Sequence, residues 1–245
     1  MARRNRKTLK NFFQSGQMPS QEDFTDLIDS MVNIIDEGFS KSVNDGLELS
    51  SVADSDKLIS FFKNIEDKSP IWSCETNKEN NNLSFSNSLG EKVLVLNEDK
   101  KVGINTENPE STLDVNGVLS CKGRKGTFKS GVVPANGKWN SIISNLDGCN
   151  AFEVMAGVGK RKSGKYSLLH AFALNVFNSE SKISYNQSFF KTWCNTMKLK
   201  WSGSMHDYSL DIRTKSDLGE DIYINYYITQ LWFDPYMDSS IKKTD

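Results

Sequence analysis

Apolar residues recur at helical spacing in residues 1–68, so we predict that this region is helical. Ser20 is the expected N-cap, because Asp23 follows three residues later as in a capping box, and Gly38 is the expected end of the helix. The apolar stripe of this helix consists of Phe24, Leu27, Ile28, Met31 and Ile35. A second, shorter helix with a cap at Asp54 or Ser55 is predicted from Leu58, Phe61, Phe62 and Ile65. Two short helices cannot enclose a core alone, so they must pack on each other or on copies from other chains.

In residues 69–122 the spacing changes to short apolar segments separated by turn residues, which predicts β-strands. The run Val93–Leu96 is continuously apolar, as expected of a strand that is covered on both faces. A lone region of this kind leaves sheet edges exposed and buries little apolar surface. We therefore expect that several chains intertwine here and that the protein is an oligomer.

Residues 123–236 are predicted to form an antiparallel β-sandwich, followed by a polar tail at 237–245. Strand-like composition is found at 128–133, 151–158, 166–177, 197–201, 208–213 and 222–232. Residues 202–207 are expected to be a hairpin loop between two alternating strands. Residues 168–174 are apolar on both faces, so they should form a central strand. A helix is the alternative there, because a short apolar run does not distinguish the two.

Composition and charge limit the classes of function. The 245 residues carry 30 Lys and Arg against 31 Asp and Glu, and the net charge of −1 argues against a dedicated nucleic-acid binder. No apolar run approaches the roughly 20 residues that span a bilayer, and the basic N-terminus lacks the apolar stretch of a signal peptide. The four cysteines and two histidines do not have the spacing of a zinc site. We predict reduced thiols, no metal, no cofactor and assembly in the cytoplasm.

The basic arm at the N-terminus consists of Arg3, Arg4, Arg6 and Lys7. It is either a solvated, frayed terminus or a docking segment that contacts an acidic surface of a larger assembly. Both interpretations are open on the sequence alone.

Candidate catalytic residues are few in the last region. Asp147 and Glu153 could be the carboxylate pair of a glycosidase if they lie about 5–10 Å apart, although Asp147 before a glycine more simply predicts a turn. His206 lies beside Asp207 without a nucleophile motif, and His170 is expected to be a core histidine with hydrogen-bonded nitrogens. We therefore predict that the protein is not an enzyme and has no catalytic residues.

Binding is better supported than catalysis, since most of the tryptophans and tyrosines lie in this last region. Aromatic rings anchor protein interfaces and stack on sugars. Those that alternate along a strand, such as Trp201 and Tyr208, are expected in the core. Candidate recognition residues are placed in loops: Lys160, Arg161, Lys162, Tyr185, Trp193 and His206.

Three parts of the chain resemble known fibre proteins. The segment Val102-Gly103-Ile104-Asn105-Thr106, followed by Pro109, Leu113-Asp114-Val115 and Gly117, resembles a segment of tail-fibre proteins from phages and phage-like particles. The segments Leu9–Phe13, Pro19-Ser20-Gln21 and Phe24–Ser30 are similar to the start of fibre-like proteins of contractile injection systems. Residues 146–154 and 227–232 are similar to a terminal domain of such proteins. Asn105 stands where the family more often has a glycine, so the local turn is expected to differ, and no self-cleaving chaperone module is found.

The resemblance implies a mainly β protein with a helical N-terminus. In this reading residues 1–68 attach and trimerise, 69–122 form an intertwined trimeric β shaft, and 123–236 form an antiparallel β-sandwich tip domain. The residues assigned to the shaft are Val93, Val95, Val102, Ile104, Leu113 and Val115.

The function expected from this reading is that of a fibre or adhesin-like component of a phage tail or contractile injection particle. It would act on a virion or a released extracellular particle, as a homotrimer that contacts baseplate or tail proteins and binds a cell-surface glycan or protein through avidity. No nucleic acid and no membrane insertion are expected. One alternative is an internal baseplate or cap component that staples particle subunits. The other is a stand-alone carbohydrate-binding or hydrolytic β-sandwich module.

Overall fold

The fold was analysed in a computed structural model, which describes residues 6–31, 38–52, 54–64 and 66–241. The chain divides into two compact units, Met1–Ser120 and Cys121–Asp245. The prediction of a mainly β protein is confirmed. Among the described residues, no helix has the length and apolar character that a membrane crossing requires.

The first unit contains two helices and eight strands in its described part. Their bounds are α1 Arg6–Phe12, α2 Gln21–Asp29, β1 Phe39–Ser42, β2 Gly46–Leu49, β3 Lys57–Phe61, β4 Trp72–Thr76, β5 Leu83–Asn87, β6 Lys92–Leu96, β7 Val102–Ile104 and β8 Leu113–Val115.

The second unit contains eight strands and two short 3-10 turns in its described part. Their bounds are β9 Lys129–Pro134, β10 Asn140–Leu146, β11 Cys149–Lys160, β12 Lys165–Val176, β13 Glu180–Phe189, a turn at Trp193–Asn195, β14 Met197–Ser204, β15 Asp207–Thr214, β16 Tyr223–Gln230 and a turn at Asp238–Ser240.

The capping box at the start of α2 is confirmed. The Asp23 backbone N–H donates to Ser20 Oγ at 3.2 Å, and the Ser20 backbone N–H donates to the Asp23 carboxylate at 2.8 Å. The stripe residues Phe24, Ile28 and Met31 are exposed and Leu27 is half-buried. Ile35, like Arg3 and Arg4 of the basic arm, lies outside the described residues, whereas Arg6 and Lys7 lie in α1.

The predicted second helix is wrong. Leu58 and Phe61 lie in β3, which pairs with β4 in an antiparallel register that sets Ile59 opposite Cys74 and Phe61 opposite Trp72. Phe62 follows the end of the strand, and Ile65 lies outside the described residues. The apolar spacing fits a strand as well as a helical turn here, because the neighbouring strand supplies the hydrogen bonds that a short isolated helix lacks.

Strands β3 to β8 form a six-stranded sheet in chain order. Neighbouring strands are antiparallel except β7 and β8, which are parallel. Asn105 ends β7 with a φ of 54°, in the left-handed region that asparagine tolerates. The turn after β7 is therefore made without the glycine that the family more often has. β1 and β2 form a separate hairpin.

The second unit contains a five-stranded sheet of order β13-β12-β11-β16-β9 and a three-stranded sheet of order β10-β15-β14. Side chains of both sheets form one hydrophobic core, which includes Phe152, Leu169, Leu210, Ile212 and Ile228. Phe152 and Leu169 alternate with outward residues along β11 and β12, as a sheet with one face on a core requires.

Two features of this unit differ from the sequence expectations. β10 and β13 were not predicted, because serine and asparagine dominate β10 and polar residues of several kinds dominate β13. β12 is an interior strand as predicted, but its outward face is not covered within the described chain. Leu168 and Leu174 are exposed there, and His170 lies on this face rather than in the core.

Candidate functional site

One face of the six-stranded sheet is apolar on every strand. Strand partners that lie opposite each other share a face, and the register places these residues together: Ile59, Phe61, Trp72, Cys74, Leu83, Phe85, Leu94, Leu96, Val102, Ile104, Leu113 and Val115. We call this set the apolar sheet face. Only Cys74 among them is buried, and five of the others are classed as exposed large hydrophobic residues. Partial burial and the nearby Glu75 charge raise the pKa of the Cys74 thiol.

The opposite face of this sheet is small and polar. Ser73 and Ser86 each donate a hydrogen bond to the Glu75 carboxylate, at 2.6 Å and 3.2 Å. Val95, which was assigned to the shaft with Val93, lies opposite Gly103 and Ser84 on this second face and is buried. The other shaft residues, Val102, Ile104, Leu113 and Val115, belong to the apolar sheet face.

Three turns and the C-terminal segment meet at one end of the second unit. These are the β10–β11 turn at Asp147, the β12–β13 turn at Phe177, the β14–β15 turn at His206 and the segment around Tyr236. Asp147 Oδ1 lies 3.0 Å from His206 Nδ1, and the Tyr236 hydroxyl donates to Asp147 Oδ2 at 3.0 Å. The Phe177 ring contacts the rings of His206 and Tyr236 at centroid distances of 5.8 Å and 6.3 Å. We call this the acidic end.

These hydrogen bonds stabilise the charged form of the Asp147 carboxylate. The bond with His206 is the main cause of a lowered pKa of Asp147; burial opposes it, and the Tyr236 hydroxyl and the Gly148 backbone N–H contribute further in the lowering direction. The same contact raises the pKa of the Tyr236 hydroxyl, because its ionised form would face the carboxylate. In the His206 tautomer that carries its proton on Nδ1, that N–H donates to Asp147 and the free lone pair is on Nε2.

The other histidine belongs to a second carboxylate cluster, on the outward face of the five-stranded sheet. Glu153 is 8 % exposed, and its Oε1 lies 2.8 Å from His170 Nε2. Arg124 donates to the other oxygen of Glu153. Asp147 and Glu153, which the sequence suggested as a glycosidase pair, thus each have a histidine of their own.

The opposite end of the second unit is basic, and we call it the basic end. It comprises the β11–β12 turn at 161–164, the segment 190–196 and the loop 215–222. Asn195 is buried, and its side-chain amide donates to the carbonyl oxygens of Gly164 at 3.1 Å and Phe190 at 2.9 Å. Lys165 Nζ donates to the Leu218 carbonyl at 2.7 Å. The three segments are therefore tied together by hydrogen bonds.

The structure does not bring the six candidate recognition residues together. Lys160, Arg161, Lys162 and Trp193 lie at the basic end and His206 lies at the acidic end. Tyr185 lies within β13, between the two ends. No sequence pattern pointed to Asn195 or Phe177, because neither an isolated asparagine nor an apolar residue at the end of a strand belongs to a recognisable motif.

Comparison with known proteins gives only distant likeness. No protein-family model and no curated protein matches the sequence. The structure is weakly similar to a tailspike protein, gp49, of Acinetobacter baumannii bacteriophage Fri1, with 10% identity and a TM-score of 0.25 over 66% of this chain and 22% of that chain. It is similarly related to the tailspike protein of Acinetobacter phage vB_ApiP_P1, with 10% identity and a TM-score of 0.25 over 52% of this chain and 26% of that one. The chain thus spans about a quarter or less of these tailspikes.

The prediction that the protein is not an enzyme is contradicted by the activity of a structural neighbour and is withdrawn. The Fri1 tailspike is described as a capsular polysaccharide depolymerase, which is an enzyme. A TM-score of 0.25 does not carry that activity over to this chain.

Proposed function

We propose that this chain is a subunit of a homotrimeric fibre of a phage tail or contractile injection particle. Residues 1–68 attach and trimerise, 69–122 contribute an intertwined shaft, and the second unit is a two-sheet sandwich that recognises a target surface. In this proposal the protein is a virion or particle component, and its partners are two further copies, the baseplate or tail, and a cell-surface glycan or protein.

The apolar sheet face is the observation that carries this proposal. A six-stranded sheet normally covers an apolar face with a helix or a second sheet, and no element in the described part of the first unit covers this one. Single exposed apolar residues are common on monomers, but a contiguous apolar surface marks an interaction site. Three identical sheets that turn these faces to a common axis would cover them.

The helical stripe supports the same proposal independently. Phe24 and Ile28 are exposed on α2, and Met31 is exposed just after its end. The Phe24 ring makes an edge-to-face contact with Phe13 at 5.4 Å. A nine-residue helix is too short to be stable by itself in water. Packing against copies of α2 would stabilise it, and the basic residues Arg6 and Lys7 would remain available to contact a particle.

The mass of the full-length protein in solution tests the proposal. One chain has a mass of 27.6 kDa, so three chains have three times that mass, about 83 kDa. Light scattering should give the trimer mass at micromolar concentrations, together with a large hydrodynamic radius. A compact species of one chain mass over the same concentrations would refute it.

Cleavage of a polysaccharide is a second candidate function, and the acidic end favours it. Asp147 Oδ1 lies 3.0 Å from Nδ1 of His206, and in the tautomer that donates from Nδ1 the Nε2 atom would accept a proton from a sugar hydroxyl or a water molecule. The test is the release of reducing ends from polygalacturonate and dextran by the full-length protein and by His206→Ala. Absence of product, or equal product from both proteins, would reject His206 as the base.

A further inference from the structure

We propose that the basic end of the second unit is a binding site for an anionic polysaccharide. The inference rests on the proposed function and names both the target class and the surface that meets it. It is carried by the position of the basic end, its unpaired cations and the aromatic groove beside them.

The basic end lies away from the point at which the chain reaches the second unit. The incoming segment 121–128 crosses the half of the five-stranded sheet nearer the acidic end, where Arg124 contacts Glu153 and the Phe128 N–H donates to the Ile228 carbonyl at 3.1 Å. β11 and β12 have 12 residues each and connect the acidic end with the basic end. At about 3.3 Å per residue the ends are separated by roughly 35–40 Å. The basic end is therefore the part of this unit farthest from the incoming chain.

Cations without ion-pair partners are concentrated there. Arg161 and Lys162 are exposed, and neither side chain has an ion pair among the residues that the structure describes. Lys160 lies 3.6 Å from Asp221, which is mostly exposed, so this pair is weak and can open for another anion. Asp217 and Glu220 lie in the same loop as Asp221. The three acids set a limit on how many negative charges can be accommodated and favour a ligand with spaced charges.

An aromatic groove continues from these cations along the sheet. It has a volume of about 590 Å³, and its lining includes Gly157 and Gly159 of β11, Tyr166 and Leu168 of β12, and Phe190 just after β13. The absence of a side chain at Gly159 lets the Tyr166 ring pack against the β11 backbone, since an added Cβ would lie 2.5 Å from this ring. The Tyr166 and Phe190 rings meet edge to face at 6.3 Å.

Further aromatic rings at this end are paired with cations. Lys191 Nζ lies 5.2 Å from the centroid of the Phe190 ring, and Lys215 lies over the exposed Trp193 ring. Rings bind the apolar C–H faces of sugars, while neighbouring ammonium and guanidinium groups bind carboxylates or phosphates. Adjacent rings and cations therefore fit a polymer that carries both apolar sugar faces and negative charges. An acidic polysaccharide is such a polymer.

The site is held in shape before any ligand binds. The Asn195 amide joins the β11–β12 turn to the segment that carries Phe190, and the Lys162 backbone N–H donates to the Tyr166 hydroxyl at 3.0 Å. The turn that carries Arg161 and Lys162 is thus anchored to a groove ring. A site whose parts are already ordered loses less conformational entropy on binding.

The experiment measures binding of the full-length protein to immobilised polymers. The polymers are polygalacturonate, which carries carboxylates, a phosphomannan, which carries phosphates, and uncharged dextran. A single-stranded DNA oligonucleotide serves as a polyanion without sugar faces of this kind. We expect binding to one or both acidic polysaccharides that weakens with salt, and little binding to dextran.

The variant is Arg161→Ala/Lys162→Ala, and its matched control is Lys129→Ala/Lys182→Ala. The control removes the same charge from two exposed lysines away from the basic end. Exposed ion pairs of about 0.2–1 kcal/mol correspond to about 1.4- to 5-fold each, so the variant should bind about 2- to 25-fold more weakly at each site. The control should bind like the wild type.

The proposal is overturned if neither acidic polysaccharide binds, if both double variants lose binding equally, or if the DNA oligonucleotide binds as tightly as the polysaccharides. Whichever of the carboxylated and phosphorylated polymers binds more strongly shows which anionic group of the polysaccharide the basic end prefers. Light scattering on the same samples separates this inference from the proposed function. A single-chain species that binds with the expected variant pattern would refute the trimer but support the polysaccharide site. A trimer that fails to bind would support the proposed function but refute the site.

Discussion

Replacing Leu96 with aspartate tests whether the apolar sheet face is covered by other copies. Leu96 lies on β6 in the middle of the sheet, opposite Leu83 on one side and Val102 on the other. Its side chain is 37% exposed within a single chain. A single folded chain should therefore tolerate a carboxylate at this position, because the group can reach water.

The effect in a trimer is far larger. Full burial of a leucine is worth about 1.5–3 kcal/mol, so covering the exposed third of Leu96 contributes about 0.5–1 kcal/mol per chain. A carboxylate enclosed at the interface costs several kcal/mol more. If each substituted chain weakens association by about 3 kcal/mol, three chains lose about 9 kcal/mol of association free energy. The trimerisation constant then falls by roughly six powers of ten.

Light scattering and circular dichroism together make the assay. Leu96→Asp should retain the β-sheet spectrum and have the mass of one chain, 27.6 kDa, where the wild type has about three times that mass. Leu89→Asp is the matched control, because Leu89 lies in the β5–β6 turn and is 80% exposed. If Leu96→Asp assembles at the same concentration as the wild type and the control, the apolar sheet face is not the interface and the reasoning is wrong.

Three further predictions concern the second unit. Gly148→Ala should lower the free energy of unfolding by about 2 kcal/mol or more, as measured by urea titration. The reason is that Gly148 has a φ of 77° and an added Cβ would lie 2.6 Å from the Pro235 carbonyl oxygen. Gly219→Ala, with a positive φ but open space around it, should cost less. Asp147→Asn should flatten the dependence of Tm on pH below about 4. The pKa of Asp147 is lowered in the folded protein. Its stabilising effect is therefore present above the unfolded-state pKa and is lost as the pH falls through the folded-state pKa. Parallel curves for both proteins would contradict this. Asn195→Ala should cost about 1–3 kcal/mol, because the Gly164 carbonyl loses its donor while the Phe190 carbonyl keeps the Thr192 backbone N–H. Equal urea midpoints for variant and wild type would rule out its role as a tether.

Local signals in the sequence predicted several elements well. Ser20 and Asp23 act over three residues, so their capping box is readable without tertiary structure. The alternation around Tyr208 and Leu210 identified β15 because its period-two pattern reflects a single buried face. The failure at 57–61 has the opposite cause. Only the pairing with β4, which begins 11 residues after β3 ends, determines that this segment is a strand.

The arrangement of the site depends on contacts that are distant in sequence. Asp147 and His206 are separated by 59 residues, and Asp147 and Tyr236 by 89. No spacing rule connects residues this far apart, so sequence analysis identified the carboxylates and histidines as candidates but did not predict which carboxylate contacts which histidine. The His170 prediction was wrong for a related reason. Apolar neighbours on both faces of β12 suggested a core position, but the outward face is apolar without being covered by the described chain.

In the proposed trimer, the apolar sheet face of the first unit and the charged ends of the second unit would suit the protein to presentation on a particle. The incoming segment places Arg124 and Lys125 against Glu153 and the Tyr227 ring, so the approach of the chain neutralises a carboxylate on the sheet near the acidic end. At the basic end Arg161 and Lys162 have no such partner among the described residues. A single chain with one weak exposed site would dissociate quickly from a surface, whereas three linked sites raise the effective concentration at which each rebinds. If the trimer and the polysaccharide site are both as proposed, retention by the basic ends requires assembly through the apolar sheet face. Breaking the first should abolish retention on a polymer-coated surface while leaving the intrinsic affinity of each basic end unchanged.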